Sequence, residues 1–171
     1  FSGNHEKSIN LIQSLIDMYP SNPYYHEFLG EIYYFQGDHT KAIKKQKTAM
    51  SILSKDSDLH LMMLGTYLLA ESSNKSIIES IKVLNKSLFL NKYNSYSWYL
   101  LAKAYALSDN LPLAQYASAE RYYLNGDRPL ALEFAKKAIK NIDKNTVEWY
   151  RTNDLIELIL GIDEKDNKNR S

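Results

Sequence analysis

The chain of 171 residues carries 21 basic and 20 acidic residues, has a formal net charge of +1 and contains no cysteine. The balanced charge argues against binding to nucleic acid, which would require a basic stripe. The lack of cysteine excludes disulfides and thiolate zinc sites. No apolar run approaches the ~20 residues that a transmembrane helix needs, so we expect no membrane insertion.

The chain starts with what looks like half of a repeating unit. Gly3 and Asn4 resemble a turn, and one amphipathic helix is predicted from His5 to Tyr19. Pro20 ends this helix. The helix matches the second half of a two-helix unit, so we expect residues 1–20 to be a partial repeat of a longer protein.

Residues 23–54 contain the pattern that the remainder of the chain repeats. Gly30 and Ala42 are small, which would allow two neighbouring helices to approach closely, and Gly37-Asp38 between them predicts a tight turn. An ordinary helical hairpin would share these features, so recurrence decides between the two interpretations. A helix–turn–helix unit that recurs about every 34 residues resembles the tetratricopeptide (TPR) repeat.

The pattern does recur, with Gly65 and then Ala102 in the position of Gly30. The helix at residues 111–124 is predicted to belong to two units at once, and the tail at residues 163–171 is expected to be disordered. We predict an all-α fold, a right-handed TPR solenoid of about nine helices. Its predicted repeat domain, 1–162, consists of units 1–20, 23–54, 58–91, 95–125 and 112–143, with a capping helix at 146–160.

Motifs for catalysis and for metal binding are absent from the sequence. His5 and His26 are each followed by glutamate, as in an H-E-x-x-H zinc motif, but Ile9 and Gly30 stand where the second histidine would be. There is no glycine-rich phosphate loop and no G-x-S-x-G elbow. We therefore predict no catalytic residue, no metal ligand and no cofactor for this chain.

Tyrosine is frequent, at 14 of 171 residues. In a TPR array the first helices of successive repeats line a concave face, where tyrosine gives a large contact area and a hydroxyl group. We predict a partner-binding groove for a polypeptide, with Tyr34, Tyr99 and Tyr116 as central anchors. The alternative is a compositional bias toward tyrosine, with rings partly buried between helices. The predicted groove residues are Tyr24, Glu27, Glu31, Tyr34, Phe35, Met62, Tyr96, Tyr99, Lys103, Tyr116, Glu120 and Tyr123.

The carboxylates of the first complete repeat narrow the ligand class. Glu27 and Glu31 are predicted on the groove face, where chaperone-tail TPR domains hold a terminal carboxylate with lysine and asparagine. We therefore do not expect that ligand class here.

Four segments, taken in order, resemble the C-terminal half of BepA-like bacterial zinc metallopeptidases. They are NPYYHEFLGEIYYFQGDHTKAI, ESIKVLNKSL, SWYLLAKAYA and AQYASAERYYLNGDRPLALEFAKKAI. The resemblance runs from Gly3 to Leu160. It implies a non-catalytic TPR module behind an H-E-x-x-H protease domain, in a periplasmic protein of envelope quality control. The implied partners are the chain's own upstream protease domain, client proteins and outer-membrane assembly machinery. A stand-alone TPR adaptor, cytosolic or secreted, stays open as the alternative.

Overall fold

The computed structural model describes residues 2–168, with side chains for residues 6–162. All regular elements in this part of the chain are α-helices, as predicted. None of these helices has the length and apolar content needed to cross a bilayer. In chain order they are α1 (Ser2–Met18), α2 (Pro23–Phe35), α3 (His39–Ile52), α4 (Asp58–Glu71), α5 (Asn74–Leu90), α6 (Ser95–Leu107), α7 (Leu111–Leu124), α8 (Arg128–Ala138) and α9 (Val147–Lys168).

The chain divides into two compact units, whereas the sequence pattern predicts one repeat domain at residues 1–162. Unit 1 is Phe1–Leu90 and contains α1 to α5, and unit 2 is Asn91–Ser171 and contains α6 to α9. In a repeat protein each repeat contacts only the repeats next to it along the chain. Sequence periodicity therefore shows where repeats lie but not where the chain divides.

Two glycine–aspartate pairs form the same kind of turn, one in each unit. Gly37 and Gly126 have φ angles of +80° and +82°, a left-handed conformation that glycine adopts without steric cost. The carboxylates of Asp38 and Asp127 each accept a hydrogen bond of 3.1 Å from the backbone N–H three residues later. Each aspartate thereby caps the helix that follows, α3 in unit 1 and α8 in unit 2.

Small residues set the distance between paired helices in unit 1. A methyl group added at Gly30 would lie 3.4 Å from the carbonyl oxygen of Ala42, so α2 and α3 meet where the sequence predicts. The contact between α4 and α5 is tighter. A methyl group at Gly65 would lie 2.7 Å from the side chain of Leu84, which is completely buried.

Unit 2 is organised around α7, which packs against α6, α8 and α9. Its core contains Ala119 on α7 together with Ala131 and Ala135 on α8, and all three are fully buried. Leu155 and Ile159 of α9 complete this cluster. Helix α7 thus takes part in two helix pairs, α6–α7 and α7–α8.

The last helix is longer than the sequence indicates. A capping helix that ends at residue 160 and a disordered tail from residue 163 are predicted, but α9 continues to Lys168. Gly161 lies inside the helix because one glycine costs a helix interior only about 1 kcal/mol and does not end it. The remaining tail, residues 169–171, lies outside the described residues.

Candidate partner-binding surfaces

Unit 1 contains a pocket of about 300 Å³ between α2, α3 and α4. Its walls are formed by side chains one helical turn apart, which share a helix face. We call it the α2–α4 pocket. It is lined by Glu27, Phe28 and Glu31 of α2, Gln46 of α3, and Leu59, His60, Met63 and Tyr67 of α4.

The inner part of the α2–α4 pocket is polar but buried. Gln46 is only 2% exposed, and its amide Nε2 donates a hydrogen bond of 3.2 Å to the backbone oxygen of His60. Among the described residues, no group donates to the side-chain oxygen of Gln46. The Nε2 atom of His60 is paired with the Glu27 carboxylate. Burial raises the pKa of the Tyr67 hydroxyl, and nearby carboxylates, Glu31 first, add to the rise.

The outer part of the pocket combines apolar surface with one free charge. Phe28 and Leu59 are each 58% exposed, which is high for large apolar side chains. Glu31 is exposed and has no cationic partner among the described residues. The pocket therefore has an apolar entrance and a carboxylate that nothing in the described part of unit 1 neutralises.

The other predicted groove residues of unit 1 lie outside this pocket. Tyr24 and Phe35 are exposed but do not line it. The ring of Tyr34 is half-buried and stacks on Tyr67 at a centroid distance of 4.9 Å. Met62 does not line the pocket, whereas its neighbour Met63 does, because Leu59, Met63 and Tyr67 share the α4 face that is directed toward α2.

The predicted set of groove residues misses Met63 and also Phe28, Gln46, His60 and Tyr67. A signal for His60 exists in the sequence, because it follows Glu27 by almost one repeat length of about 34 residues. Equivalent first helices in adjacent repeats lie side by side, so such a pair can meet. Gln46 carries a weaker signal, a polar residue in the apolar stripe of α3 between Ala42 and Ala49.

Unit 2 contains a different pocket, of about 330 Å³, which we call the α7–α9 pocket. Burial raises the pKa of the Glu120 carboxyl, while the positive charges of Arg151 and Lys92 oppose the rise. Arg151 and Lys92 thus attract this carboxylate within unit 2, but burial has the larger effect on its pKa. The pocket is lined by Lys92, Tyr93, Trp98, Glu120, Tyr123, Leu124, Arg151, Asp154, Leu155 and Leu158.

Tyr116, predicted as a central anchor of the groove, is instead a core residue that is 3% exposed. Its ring meets the Trp98 ring edge-to-face at 5.5 Å. Burial raises the pKa of this hydroxyl, and Arg151 opposes the rise. The prediction of an exposed anchor fails here because α7 is covered by α6 on one side and by α9 on another.

The remaining predicted residues of unit 2 divide between two pockets. Tyr99 and Lys103 line a shallow pocket of about 290 Å³ beside α7 and α8, whereas Glu120 and Tyr123 line the α7–α9 pocket. The structure therefore does not bring them to one face. The guanidinium of Arg121 lies 4.8 Å from the ring centroid of Tyr99, which makes the shallow pocket basic and aromatic.

Tyr96 lies beside this shallow pocket, and its ring centroid is 5.7 Å from that of Tyr99. Both rings are substantially exposed.

In the part of the chain with described side chains, no group of three or more His, Cys, Asp or Glu residues is placed to hold a metal ion.

No family model matches the chain. The chain is 25% identical over 164 residues to the Beta-barrel assembly-enhancing protease of Escherichia coli (strain K12), and equally to that of Shigella flexneri. The match covers 96% of this chain and 33% of each relative, in their C-terminal part. The chain thus spans a third of the length of these curated relatives.

Solved structures establish the fold. MamA superimposes with a TM-score of 0.64 at 17% identity, over 98% of this chain and 93% of MamA. YrrB, described as a TPR protein with an unusual peptide-binding site, superimposes with a TM-score of 0.54 at 15% identity, over 90% of this chain and 85% of YrrB. TTC0263, a TPR protein of Thermus thermophilus, superimposes with a TM-score of 0.51 at 17% identity, over 90% of this chain and 91% of TTC0263. The predicted all-α TPR fold is confirmed.

Proposed function

We propose that this chain is a non-catalytic protein–protein interaction module, the TPR part of a BepA-like zinc-dependent protease of the bacterial envelope. The observation that carries the proposal is the match along 96% of the chain to the C-terminal part of a protease. In this role the module docks the protease domain and recruits client proteins or outer-membrane assembly proteins, in the periplasm. The name of the relative, Beta-barrel assembly-enhancing protease, joins the same two activities, proteolysis and β-barrel assembly.

The surfaces of both units support a polypeptide ligand. Their pockets, of about 300 Å³, are at the lower end of the range of roughly 300–1,000 Å³ for small-molecule sites. That size suits a single side chain of a partner protein. Exposed aromatic rings such as Phe28 and Tyr99 lie at the pockets and provide large, rigid contact area.

A stand-alone TPR adaptor is the second candidate. It is favoured by the coverage of the structural matches, since the superposition with MamA includes 93% of the MamA chain. A repeat array of this size can therefore make up nearly a whole crystallised chain. The two candidates differ in whether a catalytic domain belongs to the same polypeptide.

The coding sequence upstream of Phe1 separates the two candidates. We expect it to contain an H-E-x-x-H motif and a signal peptide, and a coding sequence without the zinc motif would contradict the protease assignment. The upstream domain, produced separately, is then expected to bind this chain when the two are mixed.

The aromatic face of unit 2 provides a mutational test of that docking. Tyr99→Ala is expected to weaken binding by about 2 kcal/mol, roughly thirtyfold, if Tyr99 is a hot spot. Lys137→Ala is the control, because Lys137 is exposed on α8 and lines none of the pockets. Equal binding by the two variants, both folded by circular dichroism, would show that the protease domain docks elsewhere.

A further inference from the structure

We propose that the α2–α4 pocket of unit 1 binds an arginine side chain of a partner polypeptide. This inference rests on the proposed role of the chain as a polypeptide-binding module and specifies one ligand group for it. Three features carry it: the unpaired carboxylate of Glu31, the unused side-chain oxygen of Gln46 and the apolar entrance formed by Phe28 and Leu59.

The two carboxylates that line the pocket, Glu27 and Glu31, are acceptors only. The Glu31 carboxylate and the Gln46 side-chain oxygen have no hydrogen-bond donor among the described residues. Nε2 of Gln46 donates one of its two hydrogens to a backbone oxygen, and the Nε2 atom of His60 is paired with Glu27. The other donors of the pocket, the second amide hydrogen of Gln46 and the Tyr67 hydroxyl, are neutral. A cationic group with N–H donors therefore complements the pocket best, because it can pair with the Glu31 carboxylate and the Gln46 side-chain oxygen. A carboxylate or phosphate group would be repelled by Glu27 and Glu31.

An apolar side chain is also a poor occupant. It would cover Glu31 and Gln46 and displace water from acceptors that then have no partner. Leaving a buried polar group unsatisfied costs about 1–3 kcal/mol, and more for a charged group. The pocket thus requires a side chain with an apolar stem and a cationic end, which restricts the choice to arginine and lysine.

The geometry favours arginine over lysine. The guanidinium group has five N–H donors in a plane, so that one side chain can serve acceptors on two different helices, Glu31 on α2 and Gln46 on α3. It also stacks on aromatic rings, and both Phe28 and Tyr67 line the pocket. The lysine ammonium is compact and more strongly hydrated, so it loses more on entering an apolar entrance.

Short synthetic peptides with one variable central residue test this inference on the full chain. The central residue is arginine, lysine, leucine or citrulline, which has nearly the shape of arginine but no charge, and the flanking residues are identical. Binding is measured by fluorescence anisotropy. We expect saturable binding of the arginine peptide, weaker binding of the lysine peptide, and at least about tenfold weaker binding of the citrulline peptide, since hydrogen bonds to charged groups are the strong ones.

Glu31→Gln is expected to weaken the arginine peptide by about tenfold and to leave the citrulline peptide unchanged. The matched control is Glu6→Gln, an exposed carboxylate on α1 that changes the net charge equally but lies outside the pocket. Phe28→Ala supplies a second variant, expected to weaken both peptides because it removes the apolar entrance. Circular dichroism establishes that each variant is folded.

Four results would overturn the inference: no saturable binding of the arginine peptide at millimolar concentration, equal binding of arginine and citrulline, equal binding of arginine and lysine, or equal effects of Glu31→Gln and Glu6→Gln. The outcome is independent of the docking experiment. If the upstream protease domain binds but the arginine peptide does not, only the pocket inference fails. If the arginine peptide binds through Glu31 but the coding sequence contains no zinc motif, only the protease assignment fails.

Discussion

Each unit has a pocket lined by two carboxylates, and Glu31 of unit 1 differs from Glu120 of unit 2 in what surrounds it. In unit 1, Glu31 is exposed and has no cation near enough to pair with it among the described residues. In unit 2, Glu120 is partly buried, and burial raises its pKa although the charges of Arg151 and Lys92 oppose the rise. An acidic residue in a pocket is therefore not in itself a ligand site, because Glu120 has two cations that oppose the effect of burial whereas Glu31 has no cationic partner among the described residues.

The helix contacts of the two units differ as well. In the first helix of each complete repeat, one position takes a small residue. It is occupied by Gly30 and Gly65 in unit 1 and by Ala102 in unit 2. At Gly65 there is no space for a methyl group, because the side chain of Leu84 occupies it. Unit 2 obtains close contact with fully buried alanines instead. Unit 1 therefore depends on the absence of a single side chain more than unit 2 does.

The largest expected effect in this comparison is that of Gly65→Ala. The added methyl group would lie 2.7 Å from Leu84, and overpacking of this kind costs typically about 1–3 kcal/mol. Gly30→Ala, with 3.4 Å to its nearest neighbour, is expected to be neutral or to stabilise by up to about 1 kcal/mol through better helix propensity. The free energy of unfolding in urea measures both, and a Gly65→Ala variant as stable as Gly30→Ala would contradict the packing described.

An intermediate effect is expected at the two turn glycines. Gly37→Ala and Gly126→Ala should each cost about 1–2 kcal/mol, because a side chain in the left-handed region is strained. No atom lies within 4 Å of the position that either methyl group would take, so strain is the only cost and the two variants should be equally destabilised. Unequal losses in urea unfolding would show that the turns are not equivalent in the two units.

The smallest effect is a difference in the pH dependence of stability. The pKa of Glu120 is raised above its ordinary 4.5, so the folded chain holds this proton more tightly and its stability falls as pH rises above 4.5. The pKa of Asp38 is lowered from its ordinary 3.8, chiefly by the side chain of Lys41. Its contribution is therefore present above pH 3.8 and is lost as pH falls through the lowered value.

Two isosteric variants measure these opposite contributions. Relative to the wild type, Glu120→Gln should gain stability as pH rises above 4.5, whereas Asp38→Asn should gain stability as pH falls below 3.8. Urea midpoints measured across both windows are compared with those of the wild type. Two variants that shift in the same direction would contradict the environments described for the two carboxyl groups.

The fold was predictable because its signals are local. Helix starts follow from capping residues such as Asp38 and Asp127, and the Gly37 and Gly126 turns stand beside them in the sequence. Glu27 and Glu31 could be assigned to one surface for the same reason, since they lie one turn apart on α2.

The site was less predictable because it depends on contacts between helices. His60 pairs with Glu27 across α4 and α2, and Gln46 reaches the pocket from α3. Spacing in the sequence points to the pairing of His60 with Glu27, but which side chains of the three helices line one pocket depends on how closely the helices pack. Tyr116 was assigned to an open face, but the shared position of α7 places it against Trp98. A tryptophan on the preceding helix was the one available sign that this face would be covered.

The position of α7 also determines how this chain can be enlarged by duplication or by engineering. Repeat arrays are lengthened by insertion of whole helix pairs, because each pair interacts only with its neighbours. Unit 1 contains two helix pairs, α2–α3 and α4–α5, so an insertion between them would leave each pair intact, although it would separate the walls of the α2–α4 pocket. In unit 2, an insertion on either side of α7 would separate it from α6 or from α8, and both of these helices pack against α7. Helices α6 to α9 can therefore be copied or transplanted only as one block.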